Sequence, residues 1–283
     1  MTVDKSVIGL AGVIGDPISH SISPLIQNYW IKKCKLNSYY IPIKVSNGEV
    51  EEKIHYLMKL GFLGLNVTIP HKIEAFRLAD KVTAEATKVG AVNTLLFQDG
   101  QIIGHNTDTY GFKNSIYRNF PFYNFKKQRV LIYGAGGASR AILSVYLTEK
   151  ASEIRLINRN NKRSNDLRKE FSSQIKIYDW SDHKTAISGA TTLINCTSLG
   201  TLNTQPFPHQ LKGAHPKAVG IDLVYNPMET SFMKSAAKED IKCINGLDML
   251  VYQARPGFIE WFKKKPAYTK DLRLLLMKSL RGF

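Results

Sequence analysis

Lys72 closes the stretch GLNVTIPHK, Gly64 to Lys72, two residues after a proline and just past an apolar run. The position reads as the first turn of a helix, where the positive end of the macrodipole disfavours a cation. Further on, Gly104-His105-Asn106-Thr107-Asp108 ends a strand on an aspartate. A lysine destabilised by the dipole and held by a neighbouring carboxylate can pass a proton while a hydride moves. Local rules broken without structural gain mark functional positions, so Lys72 and Asp108 form the pair chosen for chemistry. The plainer alternative is a surface lysine and a capping aspartate.

Two more polar stretches follow apolar strands. Gly15 to Pro24 places Ser21 and Ser23 two residues apart before a helix, two hydroxyls suited to a carboxylate. Taken alone, Ser23 fits a helix cap with Pro24 at the first helical position. Gly90-Ala91-Val92-Asn93-Thr94 opens a strand with an amide, and alone it fits a turn.

The second half carries a cofactor pattern. Val130 to Tyr133 runs into Gly134-Ala135-Gly136-Gly137-Ala138 and then a helical stretch to about residue 149. Strand, glycine-rich turn and helix in that order suit a dinucleotide, whose pyrophosphate meets the free N–H groups of the helix start. The third glycine of the usual pattern is absent, so the flanking strand and helix carry the reading. After the next strand, where an acidic residue would hold the ribose of NAD, the chain has Asn158-Arg159-Asn160-Asn161-Lys162-Arg163. Two arginines and an amide favour the 2′-phosphate of NADP; a solvated basic loop is the alternative.

These groups need a scaffold. Strand-length apolar runs alternate with amphipathic stretches such as 49–60, 137–149 and 161–171, which implies α/β architecture with parallel sheets covered on both faces. A length of 283 residues allows one large or two ordinary domains, and 43% hydrophobic with 22% charged residues is globular composition. No apolar run approaches a membrane span, and the N-terminal segment reads as a first strand rather than a signal peptide. Cys34, Cys196 and Cys243 are dispersed, which suits buried thiols in a reducing cytoplasm and no metal site. The net charge of +16 is spread along the chain without a nucleic-acid motif, and fits steering of small anionic ligands. Pro256-Gly257 predicts a kink or restart in the closing helical segment, with Pro256 in a first turn.

Together the motifs resemble the shikimate dehydrogenase family over almost the whole chain. They run in order: SISP at 21–24, NVTIPHK at 66–72, GAVNT at 90–94, NTD at 106–108, GAGGA at 134–138, NRNNKR at 158–163, NCTSLG at 195–200, DLVYNPMET at 222–230 and NGLDMLVYQARPGFIEW at 245–261. The resemblance implies reversible NADPH-dependent reduction of 3-dehydroshikimate to shikimate in chorismate and aromatic amino-acid biosynthesis. It implies Lys72 and Asp108 as the catalytic pair, Ser21 and Ser23 on the substrate carboxylate, and Thr68, Asn93, Tyr225 and Gln253 around the ring. Gly134, Ala135, Gly136, Gly137 and Ala138 would wrap the pyrophosphate, with Asn158, Arg159 and Arg163 on the 2′-phosphate. Leu223 and Gly246 would meet the nicotinamide end. Asn160 stands where many NADP-using members have threonine, and its amide can still donate.

The expectation is therefore two α/β domains with the active site in the cleft between them. A substrate-binding domain, 1–108, is completed by C-terminal helices 246–283, and a Rossmann dinucleotide-binding domain covers 109–245. The protein is expected in the cytoplasm as a monomer or homodimer, with a small-molecule substrate and neither nucleic acid nor membrane as partner. Two rivals stand beside this reading. An NAD-using quinate/shikimate dehydrogenase is opposed by Arg159 and Ser23. A non-catalytic Rossmann-fold binding protein predicts loss of Lys72 or Asp108, and both are present.

Overall fold

The computed structural model describes residues 8–202 and 204–281. The described chain divides into two compact units: residues up to Gly111 with Leu250–Lys278, and Phe112–Met249 with the residues from Ser279 on. The first strand begins within the described residues at Gly9, and residues 1–7 of the N-terminal segment lie outside them.

The first unit runs β1 (Gly9–Gly15), α1 (Ser23–Lys33), β2 (Ser38–Lys44), α2 (Val50–Lys59), β3 (Phe62–Val67), α3 (Lys72–Leu78), β4 (Lys81–Val82), α4 (Ala84–Val89), β5 (Thr94–Gln98) and β6 (Gln101–His105), and then enters α5 (Asp108–Asn119). Its six strands lie in the order β2-β1-β3-β5-β6-β4. Strand β1 pairs parallel with β2 and β3, whereas β5 runs antiparallel to both β3 and β6. The β5–β6 pair is closed by Asp99-Gly100, whose residues have φ of 51° and 73°. Two positive φ values in succession form the tight turn whose twist matches a hairpin. On α2, Val50, Ile54 and Leu57 face inward at helical spacing against Leu65, Val67 and Leu95 of the sheet.

The second unit holds β7 (Arg129–Tyr133), α6 (Gly137–Thr148), β8 (Glu153–Asn158), α7 (Asn161–Phe171), β9 (Ile175–Asp179), α8 (His183–Ile187), β10 (Thr192–Asn195), β11 (Val219–Asp222), α9 (Ser231–Ala237) and β12 (Lys242–Ile244). All its strands are parallel, in the order β12-β11-β10-β7-β8-β9. Counted from β7 this is the 3-2-1-4-5-6 order of a Rossmann sheet. The central strands β7, β10 and β11 are apolar over most of their length because both faces are covered. Val130 and Ile132 pack with Ile142, Leu143 and Tyr146 of α6, while Leu131 and Tyr133 pack with Ala186 of α8 and Phe232 of α9.

The chain closes with α10 (Leu247–Phe262) and α11 (Lys270–Arg281). Pro256 lies inside α10, so the expected restart does not occur and Pro256 is not in a first turn. A proline removes one helical hydrogen bond, and here the buried side chains of Val251, Ala254, Phe258, Trp261 and Phe262 hold the helix together across it. From α10, Trp261 donates through Nε1 to the carbonyl of Leu95 at 3.0 Å, and Phe258 meets Trp30 of α1 edge to face at 5.5 Å.

Candidate active site

Lys72 is the first residue of α3, and His71 occupies the N-cap position without a side-chain cap. Its Nζ donates to Asp108 Oδ2 at 2.6 Å, with the side chains 17% and 3% exposed. A pair this far from water is poorly screened, so its partners decide its geometry. The other carboxylate oxygen, Oδ1, accepts from Asn93 Nδ2 at 2.8 Å. Asp108 also opens α5, where its N–H donates to Asn106 Oδ1 at 3.0 Å.

Asn93 is held in one orientation. Its Oδ1 accepts from the Thr107 N–H at 2.9 Å, a donor that cannot be reversed, so Nδ2 must face Asp108 and Thr107 Oγ1. The Thr107 hydroxyl donates to the Gln253 carbonyl at 2.8 Å. Behind Asn93, Asn66 donates to the Asn93 carbonyl and to Thr94 Oγ1, and Tyr40 donates to Asn66 Oδ1 at 2.6 Å. Thr107, Thr94 and Asn66 were not singled out from the sequence. Asn66, Thr94 and Thr107 lie within NVTIPHK, GAVNT and NTD, yet their role appears only when β3, β5 and β6 come side by side.

The remaining candidates of the first unit are placed as follows. Ser23 is the first residue of α1 and does not cap it, because the N-cap position is Ile22. The capping alternative is therefore excluded, and Pro24 follows Ser23 inside the helix. Ser21 Oγ accepts the Ser23 N–H at 3.3 Å, which fixes the spacing of the two serines. Thr68 joins β3 to α3: its N–H donates to the Ile14 carbonyl and its own carbonyl accepts from His71. Gln253 lies half-buried on α10.

In the second unit, Gly134 ends β7 with φ of +100°, a left-handed value that a side chain resists. A Cβ there would also approach Thr197 Cγ2 to 2.9 Å. Gly136 is the N-cap of α6, and a Cβ at Gly136 or Gly137 would meet nothing within 4 Å. The helix start is thus open, with Ala135 and Ala138 on either side of the glycine pair and no side chain covering its N–H groups. This is the approach a pyrophosphate requires, so these residues fit a dinucleotide.

Past β8, Asn160 caps α7 through Oδ1, which accepts the Arg163 N–H at 3.2 Å, while Asn158 Nδ2 donates to the Asn160 carbonyl at 2.9 Å. Among the described residues, the arginines in ion pairs are Arg118, Arg140 and Arg155. Arg159 and Arg163 are exposed and not among them. A loop presenting two cations fits a phosphate monoester and disfavours the carboxylate partner that a free ribose calls for.

Leu223 and Gly246 are in backbone contact: a Cβ on Gly246 would lie 2.1 Å from the Leu223 carbonyl oxygen. Only glycine fits at that approach. Tyr225 follows on the same segment, and burial pushes its phenol pKa up. The segment is anchored by Asp222, which accepts from Asn195 Nδ2 at 2.9 Å, Thr230 Oγ1 at 2.5 Å and the Val224 N–H at 3.0 Å. Burial raises the Asp222 carboxyl to about 6, against those three donors. Neither Asp222 nor Asn195 was picked from the sequence, where they stand in separate motifs.

A lysine–carboxylate pair set in one α/β unit and a Rossmann sheet with an open glycine turn in the other define a two-domain dinucleotide-binding protein. Comparison with known proteins makes this specific. The family model for the shikimate dehydrogenase substrate binding domain matches residues 13–95, and that for shikimate / quinate 5-dehydrogenase matches residues 117–209. The chain belongs to the shikimate dehydrogenase family. A shikimate dehydrogenase (NADP(+)) of Cereibacter sphaeroides is 40% identical over 273 residues, 96% of this chain and 98% of that protein. The crystal structure of shikimate dehydrogenase from Aquifex aeolicus matches with a TM-score of 0.86 at 31% identity, covering 95% of this chain and 97% of that one. A shikimate dehydrogenase in complex with NADP+ matches at 0.85 and 31%, covering 96% of each chain.

Proposed function

We propose that this chain catalyses the NADP-dependent shikimate dehydrogenase reaction, interconverting shikimate and NADP+ with 3-dehydroshikimate, NADPH and a proton, as a step of chorismate and aromatic amino-acid biosynthesis. The observation that carries the reading is the Lys72–Asp108 contact of 2.6 Å, fixed from behind by Asn93. When bound, the nicotinamide supplies hydride transfer to and from the alcohol carbon. This chain's residues supply the rest.

In the reducing direction Lys72 gives a proton to the oxygen that becomes the hydroxyl, and in the oxidising direction it takes that proton back. Asp108 accepts one of the three ammonium donors and leaves the others free for the substrate oxygen. Asn93 frames the pocket by holding Asp108. Ser21 and Ser23 bind the substrate carboxylate, and Thr68, Gln253 and Tyr225 contact the ring hydroxyls.

On the cofactor side, the turn from Gly134 to Ala138 receives the pyrophosphate. Asn158, Arg159, Arg163 and the Asn160 amide receive the 2′-phosphate, and Leu223 and Gly246 offer backbone groups to the nicotinamide amide. In this reading residues 1–108 with 246–283 form the substrate domain and 109–245 the cofactor domain. The three unbridged cysteines support a cytoplasmic location, and no helix among the described residues is long and apolar enough to cross a membrane.

The test is cofactor reduction by purified protein with shikimate, comparing NADP+ with NAD+. Turnover favouring NADP+ is expected. No turnover with either cofactor would sink the enzymatic reading, and faster turnover with NAD+ would reverse the cofactor assignment.

A further inference from the structure

On α1, Ser23 holds the first position and Gln27 lies four residues on, so their side chains share one face of the helix. Gln27 is fully buried. Its Nε2 donates to the carbonyl of Ala254 on α10 at 3.1 Å, while its Oε1 has no donor among the described residues. A buried amide oxygen without a donor costs stability, and a leucine of similar size would avoid that cost. A group kept against local stability calls for another use.

The use lies next to Ala254. The carbonyl of Gln253 accepts the Thr107 hydroxyl at 2.8 Å, and Thr107 adjoins Asp108 and accepts from Asn93. Both carbonyls lie in the turn preceding Pro256, next to Tyr252, whose carbonyl loses its helical N–H partner to the proline. The turn bearing Gln253 is therefore gripped from two directions: by Gln27 from the helix of Ser23, and by Thr107 from the segment of Asp108.

We infer that Gln27 is a positioning residue for substrate recognition, fixing the Gln253 turn of α10 against the helix that carries Ser23. The inference rests on the proposed shikimate activity. A contact group misplaced by about 1 Å can cost as much as 10²-fold. Loss of one hydrogen bond's restraint therefore registers in substrate affinity before it registers in folding.

The experiment compares wild type, Gln27→Leu and Gln27→His for KM of shikimate, KM of NADP+, kcat and melting temperature. Gln27→Leu is expected to raise KM for shikimate about three- to tenfold, the equivalent of one hydrogen bond. KM for NADP+ should stay within about twofold and melting should occur no lower than in wild type, since an unpaired oxygen has been removed. Gln27→His, whose ring Nε2–H has a similar reach, should return KM for shikimate toward wild type. An unchanged KM for shikimate in active Gln27→Leu overturns the inference alone. So does an equal rise in both KM values, or a rise that tracks a lower melting temperature and is not rescued by histidine. A wild type that does not turn over shikimate overturns the activity reading and this inference with it.

Discussion

Lys72 has one carboxylate oxygen of Asp108 to itself, and the other belongs to Asn93. Proton transfer by a positioned side chain contributes about 10²–10⁴-fold to a rate. Lys72→Ala is therefore expected to lower kcat by about that factor, with a smaller change in KM for shikimate. Steady-state kinetics decide: a near-normal kcat with a raised KM would reassign Lys72 to binding. A second residue-scale effect concerns pH. His183 and His209 stack at 4.1 Å with 4° between their planes, and the Tyr133 hydroxyl sits 2.9 Å from His183 Nε2. Burial lowers both imidazoles, His183 to about 4. The unfolded chain thus takes up this proton near the ordinary value of 6.5 and the fold resists it. The stability concerned is complete above that value and drains away as pH falls from 6.5 to about 4, about 3 kcal/mol in all. Asp222 acts in the opposite sense: with its carboxyl raised to about 6, the fold gains a proton before the unfolded chain does, and stability rises as pH falls below 6. His183→Phe should consequently lose less melting temperature than wild type between pH 7 and about pH 4.5. Identical profiles would show that His183 does not govern the acid limb.

Among the elements, β2 lies at the edge of the first sheet and is protected there. Asn28 of α1 accepts the Tyr40 N–H at 3.0 Å and donates to the Tyr40 carbonyl at 2.8 Å, taking the place of a neighbouring strand. Two residues on, on the same side, Pro42 offers no N–H. An open edge invites pairing with another chain. Asn28→Ala is expected to lower the melting temperature and to promote concentration-dependent association, and light scattering that stays flat while melting falls would limit Asn28 to a stabilising role. The edge also marks what sequence can and cannot express. Strands β1, β2, β3, β5, β7, β8, β10 and β11 and helices α2, α6 and α7 were legible because their apolar runs and periods are local. The antiparallel turn at Asp99-Gly100 carried a local signature that the strand runs around it obscured. The continuation of α10 through Pro256 could not be read, because it depends on packing partners such as Trp30 and Leu95 that lie far away in sequence. The same holds for the site. Lys72 and Asp108 were legible as chemical types, while the hydrogen bonds of Asn93, Asn66 and Thr107 required the register of β3, β5 and β6.

At the scale of the whole molecule the net charge is +16, and both ligands of the proposed reaction are anions. Long-range attraction of this kind is screened within about 8 Å at physiological ionic strength. Raising salt from about 0.05 to 0.5 M should therefore depress kcat/KM for both shikimate and NADP+, chiefly through KM. Salt-independent kinetics would leave the charge without a role in ligand capture. The order of the units along the chain has a different consequence. The body of one unit is the single stretch Phe112–Met249, whereas the other needs Leu250–Lys278 to supply Ala254, Phe258 and Trp261 to Gln27, Trp30 and Leu95. On the ribosome, the half of the chain made first is thus the half completed last. The segments that carry Lys72 and Asn93 must wait, their unit incomplete, until residues 250–278 have been synthesised.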